Sequence, residues 1–257
     1  MSTTPSPAIR IYRRVSARFD PLRESLVAAD FHQVVPPDAG AQWEYVDDFT
    51  TRVRYDNRVL LVEAINDATA DAFDRAHRIA LPSDSNLLDG GQAPQVVTLI
   101  AGSDESGKGE PTHALAVVAV LVSVHAESAC IARGIRDSKG CTAAEITENA
   151  QWIAANLLHE ISVIAPQDRA NALRAHGDND SRLLAFMHSE CLRRLHARNA
   201  FALARVDRFA PNRPVANALA KSLPLTIIDE CVRGERHVAV AAASIVARAC
   251  ALGISLR

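Results

Sequence analysis

The chain has 257 residues, of which 48% are apolar and 23% charged, a balance that allows a globular protein with a sizeable core. Its formal net charge of -2 excludes a basic field over the whole protein that would attract nucleic acid. Five scattered cysteines without CxxC spacing indicate neither a zinc site nor a disulfide framework. With no apolar signal segment and no run long enough to span a membrane, we expect a cytosolic protein in a reducing compartment.

The first 92 residues are predicted to form a small α+β domain. The polar, Gly- and Pro-containing stretch 82–94 precedes a strong apolar run and marks the boundary to a larger domain over 93–257. Within the small domain, periodicity predicts a helix, two or three strands and a second helix, over 21–31, 43–65 and 68–79 respectively.

The larger domain is predicted to have an α/β fold, with a mixed sheet flanked by helices. The first two strands are apolar throughout, which is typical of the middle of a sheet covered on both faces. The central helix is expected to begin at a cap supplied by Asp180 or Ser181. Its apolar residues share one stripe: Leu183, Leu184, Met187, Cys191, Leu192 and Leu195. The predicted strands cover 96–101, 115–124, 201–207 and 223–229, and the predicted helices cover 144–161, 181–196 and 238–249.

Positive charge is concentrated between Arg182 and Arg213, where seven arginines stand against two acids. Such a run is typical of a solvated helix face, and it is equally typical of a surface that contacts nucleic-acid phosphates. Both interpretations stay open at this point.

The stretch AGSDESGKGE, residues 101–110, allows two opposite interpretations. Gly102, Gly107 and Lys108 have the spacing of a phosphate-binding P-loop, which needs a following Ser or Thr and the start of a helix. Here Gly109 follows the lysine, and the next regular segment is a predicted strand. The alternative is an acidic metal site built around Asp104 and Glu105.

The acidic interpretation needs carboxylates on neighbouring strands. Asp104 and Glu105 end one predicted central strand, and Asp207 ends another. Mg²⁺ prefers such oxygen ligands, and two cations together can activate water and stabilise the leaving oxygen of a phosphodiester. Each acid taken alone would be equally typical of the start of a turn.

Several ordered motifs in the second domain resemble the ribonuclease HIII branch of the type 2 ribonuclease H family. The resemblance extends from about Val96 to the C-terminus and includes the region around Asn171. The motifs are SDESGKGE (103–110), GIRDSK (134–139), LLAFMHSECL (183–192), ARVDRFA (204–210) and VRGERHVAVAAASIVAR (232–248). After the segment that corresponds to GKGE (107–110), the family continues with Gly-Pro before its second strand, whereas this chain has Pro111 to Ala114. The family also has further C-terminal helices, whereas this chain ends soon after Ser244.

The resemblance implies an RNase H-like fold and hydrolysis of the RNA strand of RNA–DNA hybrids, leaving 3′-hydroxyl and 5′-phosphate ends. It also implies a substrate-binding N-terminal domain similar to the TATA-binding protein, and Mg²⁺ or Mn²⁺ as the cofactor. The metal-binding and catalytic acids that it implies are Asp104, Glu105, Asp207 and Glu235. Glu235 stands one residue closer to Ser244 than the family pattern expects, so Asp229 and Glu230 are alternatives, although a solvent-facing strand end is the expected role of both.

The implied substrate contacts lie in a glycine turn, a second loop and a helix, at Gly107, Lys108, Gly109, Asp137, Ser138, Lys139 and Ser244. A glycine turn lets backbone amides approach a phosphate or a 2′-hydroxyl, the group that distinguishes RNA from DNA. The same turn could serve only as a tight connection, and Asp137 could equally begin a helix.

Three function hypotheses follow: a hybrid nuclease, an RNase H-like module that binds nucleic acid or a protein partner without cutting, and a P-loop nucleotide hydrolase that depends on Lys108. The histidines are expected to play smaller parts. His188 is predicted to be packed or hydrogen-bonded, whereas His113 and His237 lie near enough in sequence to assist proton transfer.

Overall fold

The structure, a computed structural model, describes residues 8–13, 20–35, 41–47, 50–56, 59–77, 94–136 and 138–257. The chain divides into two compact units, Met1–Thr98 and Leu99–Arg257. All but the last residue of the predicted boundary stretch 82–94 lies outside the described residues. Within the described ranges, no helix combines the length and apolar composition that crossing a membrane requires.

The first unit contains a six-stranded sheet in the order β2-β3-β4-β5-β1-β6, and its described pairings are antiparallel. Leu22 and Leu26 of the first helix pack in one core with Tyr45, Val53 and Leu60 of the sheet. The strands are β1 (Ala8–Arg13), β2 (His32–Gln33), β3 (Trp43–Val46), β4 (Thr51–Asp56), β5 (Val59–Ala64) and β6 (Gln95–Val97), and the helices are α1 (Asp20–Ala28) and α2 (Asp67–His77).

The second unit is built on a five-stranded mixed sheet in the order β11-β10-β7-β8-β9. The pairs β7–β8 and β8–β9 are antiparallel, whereas β10 runs parallel to both β7 and β11. The strands are β7 (Leu99–Ser106), β8 (Leu115–Ser123), β9 (Leu158–Ile164), β10 (Leu203–Asp207) and β11 (Ile227–Cys231). The helices are α3 (Val124–Ala132), α4 (Ala143–Asn156), α5 (Arg169–Ala175), α6 (Asp180–Arg198), α7 (Pro214–Leu219) and α8 (Val238–Ala251).

Helices cover both faces of this second sheet, as the apolar runs predict. Side chains alternate along a strand, so Val117 and Ala119 of β8 join Leu183 and Met187 of α6 in one core. The opposite face packs against α8. At Gly102 a Cβ would lie 2.0 Å from the carbonyl carbon of Ala239. Only glycine permits this approach, which brings α8 against the strand that ends in the acidic pair.

Several predicted elements have different bounds in the structure. The apolar run 96–101 is divided between β6 and β7, which belong to different sheets. The predicted helix over 144–161 ends at Asn156, because Leu157 is extended and the chain continues as β9. Asn179, rather than Asp180 or Ser181, caps α6 and accepts a hydrogen bond from the Arg182 N–H.

The basic run largely pairs with acids of the same unit. Arg193 and Arg194 form ion pairs with Glu190, and Arg198 with Glu160. The guanidinium of Arg205 is buried instead, 3.7 Å from Asp229. These pairs favour the helix-face interpretation over a free phosphate-binding surface.

Candidate active site

Asp104 and Glu105 stand next to each other near the end of β7, yet they point to opposite faces of the sheet because successive strand residues alternate. Asp104 is 9% exposed and faces α8, where the Ser244 hydroxyl hydrogen-bonds to its carboxyl group. Ser244 in turn lies 2.9 Å from the hydroxyl of Ser138. The strand thus holds one acid firmly against α8.

Glu105 faces α6 on the other side of the sheet. Its Oε2 lies 3.3 Å from Nε2 of His188, which is fully buried. The prediction that His188 is a packed, hydrogen-bonded histidine is therefore confirmed. Glu105 keeps contact with solvent through the cleft that Asp104 also lines.

Asp207 ends β10, which runs parallel to β7 and therefore brings its carboxyl end to the same edge of the sheet. The register pairs Val206 with Ser103, so Asp207 stands level with Asp104. Its Oδ1 accepts a 2.8 Å hydrogen bond from the Gly234 N–H. Three of the four predicted acids therefore meet at one edge.

Glu235 lies in the 3₁₀ turn Gly234–Arg236, between β11 and α8, and is half-buried. It is near enough for its charge to raise the pKa of Asp207. The alternatives for the fourth acid are both buried, contrary to the predicted solvent-facing role. Asp229 lies beside Arg205, and Glu230 accepts hydrogen bonds from two backbone N–H groups at the start of α7.

The electrostatics of the site follow from its burial and from the crowding of like charges. Burial raises the pKa of Asp104 well above its usual range, and the charges of Glu105 and Asp207 raise it further. The pKa of Asp207 is also raised, mainly by burial and then by Glu105 and Glu235, against the Gly234 hydrogen bond. Neighbouring carboxylates that disfavour each other's ionised form are stabilised by a cation.

The donor set fits a hard divalent cation, which prefers carboxylate oxygens. Within the described residues, no group of three or more His, Cys, Asp or Glu side chains is arranged to hold a metal ion. Glu105 is turned toward His188 while Asp104 faces α8, so these two side chains do not converge on one point. The site therefore brings the acids to one edge without arranging them around a common centre.

The Gly-Lys-Gly turn stands beside the acids. Gly107 and Gly109 have φ values of 89° and 79°, the left-handed region that favours glycine. The carbonyl oxygen of Gly107 accepts a 2.7 Å hydrogen bond from Arg169. Lys108 is exposed, with its ammonium 5.7 Å from the ring centre of Phe209. The chain continues from this turn into β8 rather than a helix, so the P-loop interpretation is wrong.

An open cleft of about 610 Å³ joins the acids to the predicted substrate residues. Its lining includes Gly107, Lys108, Ser138, Lys139 and Ser244. Gly109 belongs to the adjoining turn, and Asp137 lies outside the described residues. The two nearby histidines are engaged elsewhere: Nδ1 of His113 is 3.3 Å from Glu110, and Nδ1 of His237 is 2.8 Å from Arg205.

Sequence reasoning missed three residues that support the site. Arg169 holds the carbonyl of Gly107, and Arg248 forms a 2.7 Å ion pair with Glu110 at the rim of the cleft. Ser103 contacts His188 beneath Glu105. The two residues of each pair are separated by 62, 138 and 85 positions respectively, so no local sequence spacing predicts these contacts.

Comparison with protein families places most of the second unit in a known group. A family model described as Ribonuclease HII matches residues 101–257, more than half of the chain. Ribonuclease HIII of Protochlamydia amoebophila is 32% identical over 147 residues, which cover 57% of this chain and 48% of that protein. Ribonuclease HIII of Bacillus mycoides is 33% identical over 158 residues, covering 58% and 49%. The chain spans about half the length of these curated relatives.

Solved structures show a similar fold. The crystal structure of Bst-RNase HIII in complex with Mn²⁺ superposes with a TM-score of 0.55 at 22% identity, covering 95% of this chain and 81% of that chain. Aquifex aeolicus RNase H3 gives a TM-score of 0.52 at 18% identity, covering 95% and 84%. The predicted fold class, an RNase H-like mixed sheet flanked by helices and preceded by a small α+β unit, is confirmed.

Proposed function

This chain belongs to the ribonuclease HII family, and from that membership we propose that it is an endonuclease that hydrolyses the RNA strand of RNA–DNA hybrids. The family-level resemblance carried by the sequence motifs is thereby confirmed. The proposed products are 3′-hydroxyl and 5′-phosphate ends. The observation that carries the proposal is the meeting of Asp104, Glu105 and Asp207 at one sheet edge, with the charge of Glu235 beside them.

We propose that Asp104, Glu105, Asp207 and Glu235 hold two divalent cations, Mg²⁺ or Mn²⁺. When bound, such a pair supplies an activated water and a counter-charge for the leaving oxygen. Bst-RNase HIII, which shares this fold, is known as a complex with Mn²⁺, and we propose the same class of cation here. The pKa values of Asp104 and Asp207 are raised first by burial and then by neighbouring carboxylates. They support the assignment, because a cation would relieve the cost of ionising these groups together.

The chain's own groups then bind and orient the hybrid. Gly107 and Gly109 have the left-handed conformation of a tight turn, and we propose that backbone N–H groups of this turn donate to a phosphate or a 2′-hydroxyl. Lys108 adds positive charge beside the acids, opposite the negative backbone of the substrate. Ser138, Lys139 and Ser244 line the same cleft, and Asp137 is proposed as a substrate contact from the sequence motif alone.

Cleavage of an end-labelled RNA–DNA hybrid in Mg²⁺ and in Mn²⁺ tests this function. The wild-type chain is compared with Asp104→Asn and with Asp168→Asn, an exposed aspartate outside the cleft. We expect both cations to support cutting of the RNA strand, loss of cutting in Asp104→Asn, and no cutting of duplex DNA. Products with a 5′-hydroxyl, or equal activity in Asp104→Asn, would refute the proposal.

One observation favours a second candidate function, a module that binds hybrids without cutting. The acids as described do not form a ready ligand group, and each of the three at the sheet edge already contacts a protein donor. Hybrid binding by folded protein with no turnover in either cation would select this function. Turnover in either cation would exclude it.

A further inference from the structure

A buried chain of hydrogen bonds runs from the middle of the sheet to Glu105. The Ser103 hydroxyl lies 2.9 Å from the carbonyl oxygen of Val118 and 2.7 Å from Nδ1 of His188. Nε2 of the same ring lies 3.3 Å from Oε2 of Glu105. Both ring nitrogens are thus engaged, one by the strand interior and the other by an acid of the candidate site.

The ring of His188 has little freedom to turn. The side chain is fully buried, and it stacks on the ring of Phe209 with a centroid distance of 5.2 Å and an interplanar angle of 16°. A buried polar group that loses its hydrogen-bond partner destabilises the fold, so the paired orientation is strongly preferred. The position of Nε2 is therefore fixed by packing on one side and by Ser103 on the other.

We propose that His188 is a positioning residue for Glu105, an inference that rests on the proposed nuclease function. An ionised carboxylate only accepts hydrogen bonds, so the hydrogen between the two groups is carried by Nε2. On a neutral ring Nδ1 then accepts from the Ser103 hydroxyl, whose single hydrogen points to Nδ1 rather than to the carbonyl of Val118. In the described part of the chain, no other donor contacts the Glu105 carboxylate. His188 thus sets the direction of the Glu105 carboxylate near the end of β7.

This contact uses Oε2, so Oε1 would be the oxygen that a bound cation could take. The contact resembles the outer-sphere contacts that orient carboxylate ligands in metal sites, whose loss typically lowers metal affinity about 10- to 100-fold. Because His188 itself is buried behind Glu105, it touches neither the substrate nor the reacting atoms. It would therefore change the affinity for cations and the turnover rate more than the binding of the hybrid.

Three substitutions separate this role from simple packing. The amide of His188→Gln reaches about as far as Nε2 and can still donate to Glu105, whereas that of His188→Asn reaches only as far as Nδ1. His188→Phe retains a flat ring against Phe209 and loses both hydrogen bonds. Met187→Leu, a buried neighbour on α6 outside the hydrogen-bond chain, is the matched control.

Mn²⁺ binding to the full chain is measured by calorimetry without substrate, and kcat and KM are measured on the hybrid. We expect His188→Asn and His188→Phe to weaken Mn²⁺ binding about 10- to 100-fold and to lower kcat with little change in KM. His188→Gln should retain more of both than His188→Asn, and Met187→Leu should match the wild type. Ser103→Ala removes the contact on the far side of the ring, and it should give a smaller change of the same sign. This variant tests the inference if a His188 variant does not fold.

Wild-type Mn²⁺ affinity and kcat in folded His188→Phe would overturn the inference and leave the nuclease function intact. If His188→Phe does not fold, the same result in Ser103→Ala would overturn it. Equal losses of Mn²⁺ affinity and kcat in Met187→Leu would mean that His188 acts only through packing, and this result would also overturn the inference. Wild-type protein that neither binds Mn²⁺ nor cuts the hybrid would instead refute the proposed function, and this inference with it.

Discussion

The backbone of Gly234 is in direct contact with Asp207. Its N–H donates a 2.8 Å hydrogen bond to Oδ1 of Asp207, and a Cβ in its place would lie 3.0 Å from that oxygen and 2.9 Å from the Asp207 Cα. The contact joins the end of β10 to the 3₁₀ turn that carries Glu235. A single backbone contact thus sets the spacing between two of the four candidate acids.

Gly234→Ala should therefore reduce both activity and stability. The added methyl group must push the turn away from Asp207, and a displacement of about 1 Å in a catalytic group can cost on the order of 10²-fold in rate. We expect kcat/KM on the hybrid to fall by about that factor, with a loss of about 1–3 kcal/mol in the free energy of unfolding. Gly140→Ala is the stability control, because a Cβ there would meet no atom within 4 Å. Wild-type kcat/KM in Gly234→Ala would contradict the argument.

Much of the second unit was predictable because its strands are apolar throughout. The run 115–124 corresponds to β8 almost residue for residue, since a strand buried on both faces needs no polar positions. In contrast, LHEISVI mixes polar and apolar residues and closely follows α4, so the pattern predicts that the helix continues into β9 as far as Ile161. Only pairing with β8 decides that segment, and pairing is not a local property.

The site was predictable in its residue types and less so in its geometry. Asp104, Glu105 and Asp207 were placed correctly at strand ends, because parallel strands end at the same edge. Which acid faces α8 and which faces α6, and the burial of Glu230 beneath the start of α7, depend on which helix covers which face of the sheet. That choice rests on contacts between distant parts of the sequence, such as Gly102 against Ala239.

Asp104→Asn should stabilise the metal-free protein while abolishing cleavage. The pKa of Asp104 is raised in the folded state, so the folded protein holds this proton more tightly than the unfolded chain does. Its ionisation therefore costs stability as the pH rises above the usual range of an aspartate, and the cost is fully present once the pH exceeds the raised pKa. We expect a higher Tm in EDTA at neutral pH, by about 2–4 °C for each kcal/mol relieved.

Divalent cations should make the wild type more stable than Asp104→Asn, the reverse of the order expected in EDTA. Mn²⁺ should raise the Tm of the wild type by binding only the folded state, and should raise that of Asp104→Asn much less. Thermal unfolding in EDTA and in Mn²⁺ measures both effects, with Asp168→Asn expected to follow the wild type. A lower Tm for Asp104→Asn in EDTA would show that its hydrogen bond to Ser244 outweighs the repulsion.

Lys108→Ala should weaken hybrid binding mainly through charge. Lys108 is exposed at the cleft, and each phosphate contact contributes about one unit to the slope of log K against log salt concentration. We expect KM to rise and that slope to fall by about one, with kcat less affected. Lys221→Ala, another exposed lysine outside the cleft, should leave both unchanged. An unchanged slope in Lys108→Ala would remove this residue from the substrate surface.

Glu235→Gln tests the fourth acid against its alternatives. Glu235 is half-buried and its charge acts on Asp207, whereas Asp229 and Glu230 are buried against Arg205 and α7. We expect Glu235→Gln to lower kcat on the order of 10²-fold with an unchanged fold, since it alters the charge around the reacting phosphate. Asp229→Asn and Glu230→Gln should retain more activity when folded. The opposite ranking would move the fourth ligand to β11.

Glu127 lies outside the site and should make the stability of the second unit depend on pH. It belongs to the first turn of α3, is buried, and has a pKa raised by burial to about 7. Because this pKa exceeds the usual value near 4.5, the folded state favours the protonated form, and stability falls as the pH rises from about 4.5 through 7. At 1.36 kcal/mol per unit, the loss reaches about 3 kcal/mol above pH 8.

Glu127→Gln should remove that dependence, because its amide stays neutral throughout. Between pH 5 and pH 8, urea unfolding should show the stability of the variant rising relative to the wild type by about 2.5 kcal/mol, with most of the rise complete by pH 7. Glu148→Gln, an exposed position on α4, provides the control for changing one charge on this unit. A constant difference between Glu127→Gln and wild type over this range would mean that the carboxyl group is ionised without penalty, and hence reached by water in solution.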